Sequence, residues 1–271
     1  PHLVNPGYYP ETDLMYRATD LKHLHINLLI GLATGSLATT GGPGTAGMRG
    51  IRGIGKNRIN KYNIRKATQG LANYIIKNTG EIGKKKGGAI GDDCRIDSVE
   101  FALNTALVLA GNGIKAYLFT SLRSTPELSF ATRELKAQAG VMVTASHNPK
   151  EYNGYKVYWE DGAQIVEPQA SGIVNEVNSV DIFSDIKMIS EAEAKSRGLL
   201  EYIGKEIDDR FVEEVEKQAI NRDIPGKKDF KIVYSPLHGT GRVAVQRVLK
   251  EMGFDSVYPG HRQKDLMLIR Q

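Results

Sequence analysis

Apolar residues recur along this chain first at helical spacing, then in short unbroken runs, and the two patterns alternate. Ile64, Ala67, Leu71 and Tyr74/Ile75 share one side of a predicted helix, with Asn63 placed to cap it. Gly88 to Asp92 reads as a short strand. Val99, Ala102/Leu103, Ala106 and Ala110 line a second helix, capped by Ser98 and ended by Gly111 and Gly113. Ile114 to Phe119 predicts a strand, and Thr125-Pro126 starts a helix with proline in its first turn. Ala139 to Val143 is the next strand and Lys156 to Tyr158 another, followed by a turn at Asp161-Gly162. A helix from Pro168 to Val177 carries Gly172 at a cost in helix stability. The β-α-β-α-β alternation predicts an α/β fold with a mostly parallel sheet covered by helices.

Further along, Glu191 to Ile220 is charged and reads as helix in two pieces, broken near Gly198 or Gly204. Asn221 to Lys228 is a polar linker. Phe230 to Tyr234 (strand), Gly239 to Met252 (helix) and Ser256 to Tyr258 (strand) begin a second unit that is not finished. No repeat of fixed period occurs. Residues 1–43 show no sustained periodicity, and residues 260–271 do not continue the pattern before them. Both ends are read as foreign to the fold. The expected division is 1–43 unassigned, 44–220 a first domain, 221–259 the start of a second, and 260–271 an unmatched tail.

At 271 residues the chain has length for one or two domains, and 41% hydrophobic with 25% charged residues is ordinary for a soluble protein. The net charge of +5 is spread along the chain and suits an anionic substrate. Its one tight cluster, Lys84-Lys85-Lys86, has no interleaved aromatic residue and reads as a solvated loop, so no nucleic-acid partner is expected. The single cysteine, Cys94, excludes an intramolecular disulfide and a multi-cysteine zinc site, and points to a reducing, cytoplasmic location. The most apolar stretch, Ile26 to Ala38, is too short to span a bilayer. Glu11, Asp13 and Asp20 upstream spoil a positive signal-peptide flank, so no membrane partner is expected.

The chemistry concentrates in Val143-Thr144-Ala145-Ser146-His147-Asn148-Pro149 and Tyr152-Asn153-Gly154-Tyr155-Lys156. Ser146 falls on a turn just after an apolar strand, where open α/β sheets bind ligands. One serine on an Asn-Pro turn is ordinary turn chemistry, but the whole run T-A-S-H-N-P-x-x-Y-N-G-x-K is long and unusual. His147 follows directly in an extended chain and should point away from Ser146, so no Ser-His dyad is expected. It is expected to hold the loop or contact a phosphate. Lys156 offers a cation whose pKa nearby negative charges would keep high and desolvation would lower. Gly44 to Gly50 is glycine-dense around Arg49, a residue type that grips phosphate through two parallel bonds. Arg52 and Arg58 are explained equally well as surface arginines. In Ser235 to Gly241, backbone N–H groups at a helix start can bind an anion. Gly239, Gly241 and Ala244 also fit a weak dinucleotide fingerprint, so a nucleotide-binding module is a third reading beside a plain structural turn. His23-Leu24-His25 lacks residues to complete a metal site.

T-A-S-H-N-P resembles the active-site loop of the α-D-phosphohexomutases, the phosphoglucomutase/phosphomannomutase family. Gly44 to Gly50 resembles that family's G-T-A-G-x-R-G. Asp92-Asp93-Cys94-Arg95 resembles its Tyr-Asp-Ser-Arg, with Asp92 for Tyr and Cys94 for Ser. Tyr234 to Gly241 resembles the Y-S-P-L-H-G-T-G of a phosphoglucomutase branch. The resemblance covers residues 44–259, about the first half of a family member. It implies a three-layer αβα domain I and the beginning of a second α/β domain. It implies an isomerase that interconverts hexose 1-phosphate and hexose 6-phosphate by intramolecular phosphotransfer through a phosphoserine. Ser146 would be the phosphorylated residue, Arg49 would reach it, and Lys156 would serve as acid or base. His147, Asn148, Arg58, Arg95, His238 and Gly239 would contact substrate or phosphate. Mg²⁺ would be held through the phosphate on Ser146, and glucose 1,6-bisphosphate would be activator and intermediate. The family's D-x-D-x-D-R metal loop, G-E-x-S-G-H sugar loop and C-terminal phosphate loop do not occur in this sequence. The chain therefore reads as truncated. The alternatives are an inactive fragment that binds sugar phosphates, and phosphopentomutase or phosphomannomutase specificity.

Overall fold

Six strands form one sheet in a computed structural model that describes residues 47–55 and 57–259. They are β1 (Gly47–Ile51), β2 (Gly88–Asp92), β3 (Ala116–Phe119), β4 (Ala139–Val143), β5 (Tyr152–Trp159) and β6 (Leu200–Ile203), in the order β1-β5-β4-β2-β3-β6. β4, β2, β3 and β6 run parallel, and β5 and β1 are antiparallel additions at one side. The helices are α1 (Lys61–Lys86), α2 (Ser98–Gly111), α3 (Thr125–Glu134), α4 (Gln169–Ser179), α5 (Glu191–Ser196) and α6 (Lys205–Lys217). A mostly parallel sheet must bury both faces, which is why β2 and β4 are buried at every position. Ile90, Val141, Val143, Tyr155 and Val157 face one core with Leu71 and Ile75 of α1, Ala106 and Leu109 of α2 and Val177 of α4. Ala89, Met142 and Tyr158 alternate to the other face, against Leu128 and Ala131 of α3 and Ile207 of α6. The result is a three-layer αβα arrangement, as the sequence pattern predicts.

Three local readings are corrected. Asn60, not Asn63, caps α1, its Oδ1 accepting the N–H groups of Tyr62 and Asn63 at 3.1 Å each. Asn63 is instead buried, with Nδ2 donating to the Arg58 carbonyl at 2.6 Å. Ser98 does not cap α2. Asp97 occupies that position with φ 66°, and the Ser98 hydroxyl turns inward to Asp93. Within the charged 191–220 stretch lies strand β6, whose buried-exposed-exposed-buried pattern follows neither period. Gly172, at its cost in helix stability, lies against α1, where a Cβ would stand 2.3 Å from Tyr74 Cε2.

The second unit is β7 (Ile232–Tyr234), α7 (Gly241–Glu251) and β8 (Val257–Pro259), with β7 and β8 parallel. No residue of α7 is buried, and Val233 is 78% exposed. Arg247 of α7 reaches Asp209 of α6 at 2.7 Å. Residues 1–46 and 260–271 lie outside the described residues, and with them Gly44 to Ala46, Ile26 to Ala38 and His23-Leu24-His25. Among the described residues no helix is long and apolar enough to cross a membrane.

Candidate active site

Ser146 sits three residues past the end of β4, exposed at the carboxyl edge of the sheet. Its backbone is left-handed, φ 58°, a conformation that costs a non-glycine residue about 1–2 kcal/mol and is kept only where neighbours enforce it. Here they do. The Ser146 N–H donates to Thr144 Oγ1 at 2.8 Å, and the Thr144 hydroxyl donates to Asp93 Oδ2 at 2.6 Å. Asp93 Oδ1 accepts the Ser98 hydroxyl at 2.9 Å and the Arg95 N–H at 3.0 Å.

The left-handed turn also overturns the expectation for His147. Ser146 and His147 are not in extended chain, and Ser146 Oγ lies 3.4 Å from His147 Nδ1. That contact is long for a hydrogen bond between such groups. His147 is exposed beside the nucleophile, while Asn148 is half-buried with its N–H on the Ala145 carbonyl at 3.2 Å.

Arg49, Gly154 and Thr144 form a row across β1, β5 and the end of β4. Arg49 is the cross-strand partner of Gly154, and the Thr144 N–H donates to the Gly154 carbonyl at 3.1 Å. Lys156, two residues from Gly154 and opposite Gly47, shares that sheet face. Burial lowers the pKa of Lys156, the nearby Arg49 lowers it further, and Asp93 offsets part of the effect. Of the two opposed influences named from the sequence, desolvation wins.

Arg95 is placed differently from the phosphate contact expected of it. Nη1 donates to the carbonyls of Pro149 (2.8 Å) and Tyr152 (2.9 Å), and Nη2 to those of Ser146 (2.7 Å) and Asn148 (2.6 Å). Nε lies 3.4 Å from Asp93 Oδ2. Its donors are committed to the protein. Arg52 pairs with Asp97, Nε to Oδ2 at 2.8 Å. Arg58 lies in the 52–60 loop between β1 and α1, which Asn60 and Asn63 organise through its carbonyls. His238 is exposed on the turn before α7, and its carbonyl accepts the Cys94 thiol at 2.8 Å, bringing that turn against the loop of Asp93 and Arg95. The Gly239 N–H is spent within the turn, on the Pro236 carbonyl at 2.8 Å, so it is not aimed at an anion.

Asp93 and Thr144 stand inside the motifs singled out from the sequence but were given no role, and Ser98 was read only as a helix cap. The signal of Asp93 and Thr144 is polarity just past the ends of strands β2 and β4. Among the described residues no three His, Cys, Asp or Glu side chains cluster as a metal site, and both Asp93 oxygens already accept protein donors. These residues do not by themselves fit the implied Mg²⁺.

The sequence model of the family described as phosphoglucomutase/phosphomannomutase, alpha/beta/alpha domain I, matches residues 41–182. The chain belongs to the phosphoglucomutase/phosphomannomutase family. It is 37% identical over 214 residues to the phosphoglucomutase of Staphylococcus haemolyticus, a match covering 79% of this chain and 38% of the relative. It is 35% identical over 222 residues to the human phosphopentomutase, covering 80% of this chain and 36% of the relative. The chain thus spans well under half the length of these relatives. The crystal structure of a phosphoglucomutase/phosphomannomutase family protein from Burkholderia thailandensis superposes with a TM-score of 0.58 at 20% identity, over 80% of this chain and 42% of that one, and shares its fold.

Proposed function

We propose that this chain is part of a phosphoglucomutase-type intramolecular phosphotransferase in which Ser146 carries the phosphoryl group. The observation that carries the reading is the exposed Ser146 hydroxyl on an enforced left-handed turn, flanked by a sheet face that bears Arg49 and Lys156. Arg49 orients the phosphoserine. The phosphoryl group passes from Ser146 Oγ to a hydroxyl of a sugar monophosphate: the Oγ–P bond breaks as the sugar O–P bond forms, the hydroxyl proton goes to the Lys156 amine, and the solvent-exposed Oγ takes up a proton from water. The resulting sugar bisphosphate turns over and returns its other phosphoryl group to Ser146. A lysine with a lowered pKa has a larger neutral fraction near pH 7 and is better suited to accept that proton. The implied Mg²⁺ would meet the oxygens of the phosphate on Ser146, and the described residues add no carboxylate set to it. Hexose phosphates are the proposed substrates, with glucose 1,6-bisphosphate as intermediate and the cytoplasm as the location.

Incubation of the chain with glucose 1,6-bisphosphate followed by intact-mass analysis tests the reading. A gain of one phosphate, lost in Ser146→Ala, is expected. Labelling retained in that variant would move the nucleophile elsewhere. A second reading, phosphate uptake without turnover, is favoured by the lack of a metal-binding carboxylate cluster among the described residues. A coupled assay of glucose 1-phosphate conversion, repeated with ribose 1-phosphate, separates a mutase from a non-cycling fragment and hexose from pentose preference.

A further inference from the structure

We infer that Arg95 is a positioning residue for phosphoryl transfer at Ser146: seated on Asp93, it clamps the nucleophile loop by its carbonyls and so holds Ser146 in its left-handed conformation. The inference deepens the phosphoserine reading and rests on it.

A guanidinium has five N–H donors in one plane. Four donate to the carbonyls of Ser146, Asn148, Pro149 and Tyr152, and the fifth, on Nε, faces Asp93 Oδ2. The side chain is only 11% exposed, and a charged donor makes each of these bonds stronger than one between neutral groups. An arginine spent in this way has no donor left for a substrate phosphate.

The peptide groups on both sides of Ser146 are held. Its N–H is held by Thr144 Oγ1 and its C=O by Arg95 Nη2. Both supports rest on one carboxylate, since Asp93 Oδ2 takes the Thr144 hydroxyl and lies beside Arg95 Nε. Fixing both flanking peptides leaves φ and ψ of Ser146 little freedom, which is what a strained nucleophile needs to present its hydroxyl repeatedly in one place. Lysine cannot substitute. Its ammonium carries three tetrahedral donors and cannot span four carbonyls.

The test compares wild type, Arg95→Ala and Arg95→Lys by amide hydrogen exchange and by the rate of Ser146 phosphorylation from glucose 1,6-bisphosphate. In both variants, exchange of the 146–152 amides should rise at least about tenfold while β2 and β4 stay protected. The maximal phosphorylation rate should fall about a hundredfold. The half-saturating bisphosphate concentration should move less than about threefold, because the phosphate contacts are made by other groups. Added guanidinium ion at tens of millimolar should restore part of the rate to Arg95→Ala and none to Arg95→Lys. Unchanged loop exchange, full rescue by lysine, or a raised half-saturating concentration at unchanged maximal rate would each overturn the inference. If Arg95→Ala does not fold, Arg95→Lys decides by the same readings. If wild type takes up no phosphate, the phosphoserine reading fails, while the exchange data still decide whether the clamp exists.

Discussion

Gly154 faces Arg49 across the β1–β5 ladder with no space for a side chain between them. A Cβ on Gly154 would stand 2.5 Å from the Met48 carbonyl oxygen, 2.6 Å from that of Thr144 and 3.2 Å from Arg49 Cγ. Two of those atoms are backbone oxygens and cannot swing away. Gly154→Ala must therefore push apart β1, β5 and the end of β4, the row from which Ser146 is launched. Overpacking of this kind costs about 1–3 kcal/mol. The urea midpoint should fall with an unchanged m-value, and phosphate uptake at Ser146 should fall with it. A variant as stable and as readily phosphorylated as wild type would show that the close approach is not needed.

Lys156 should leave a signature in the pH dependence of stability. Its folded pKa lies below the ordinary 10.5, chiefly through burial. At pH values under the folded pKa both states are charged, and the native state carries the full desolvation penalty. Between the folded pKa and 10.5 the native amine has lost its proton and the unfolded one has not, so stability rises with pH in that window. Lys156→Met should remove this rise and should be more stable than wild type at neutral pH, while losing phosphoryl transfer. Denaturant unfolding of both proteins from pH 7 to pH 10 measures the difference. A gap between them that does not narrow with rising pH would contradict the assignment.

The alternation that builds the three layers could be read from the chain because each element obeys a period. Ala139–Val143 is apolar throughout, since both of its faces are covered. Residues 64–75 repeat at helical spacing, since the side of α1 that meets the sheet core is apolar, while its other side is covered as well and buries Lys66, Thr68 and Gln69. β6 was missed for the opposite reason. With Leu200 and Ile203 inward and Glu201 and Tyr202 outward, four residues cannot be told from a turn of the flanking charged helices. At the site, chemistry was legible wherever a residue type is rare in its setting, as with Ser146, Arg49 and Lys156. What escaped was support. Nothing local says that the Asp93 carboxylate will meet the Thr144 hydroxyl 51 positions away, or that four of the five donors of Arg95 will be taken by carbonyls. The His147 expectation failed because it assumed extended backbone, whereas Ser146 adopts φ 58°.

Thr144 can be tested almost without changing shape. Thr144→Val keeps the buried volume and removes the oxygen that both accepts the Ser146 N–H and donates to Asp93. It leaves a buried carboxylate oxygen one donor short and frees one side of the Ser146 peptide. A loss of about 1–3 kcal/mol is expected from the unsatisfied groups. Thr144→Ser, which keeps the hydroxyl, should recover most of the phosphorylation rate though not all of the stability. Equal rates in the valine and serine variants would remove the hydroxyl from the positioning network.

The α1–α4 crossing makes a sharper comparison, because two glycines there meet different obstacles. A Cβ on Gly70 would lie 2.6 Å from both the backbone N and the Cα of Val177, and 2.3 Å from its Cγ2. Val177 is fully buried in the larger core, so α4 as a whole would have to retreat. A Cβ on Gly172 would meet the Tyr74 ring first, at 2.3 Å. Tyr74 is half-buried and can rotate, giving up its edge-on contact with Trp159, whose ring centroid is 5.7 Å away. That contact is worth about 0.5–1.5 kcal/mol, and replacing a mid-helix glycine by alanine returns about 1 kcal/mol. Gly172→Ala should therefore lie within about 1 kcal/mol of wild type, while Gly70→Ala should lose about 1–3 kcal/mol or more. Urea denaturation of the two variants side by side gives the order. If Gly172→Ala proves the more damaging, the crossing is held by the Tyr74–Trp159 pair and not by the close approach of the two helix backbones.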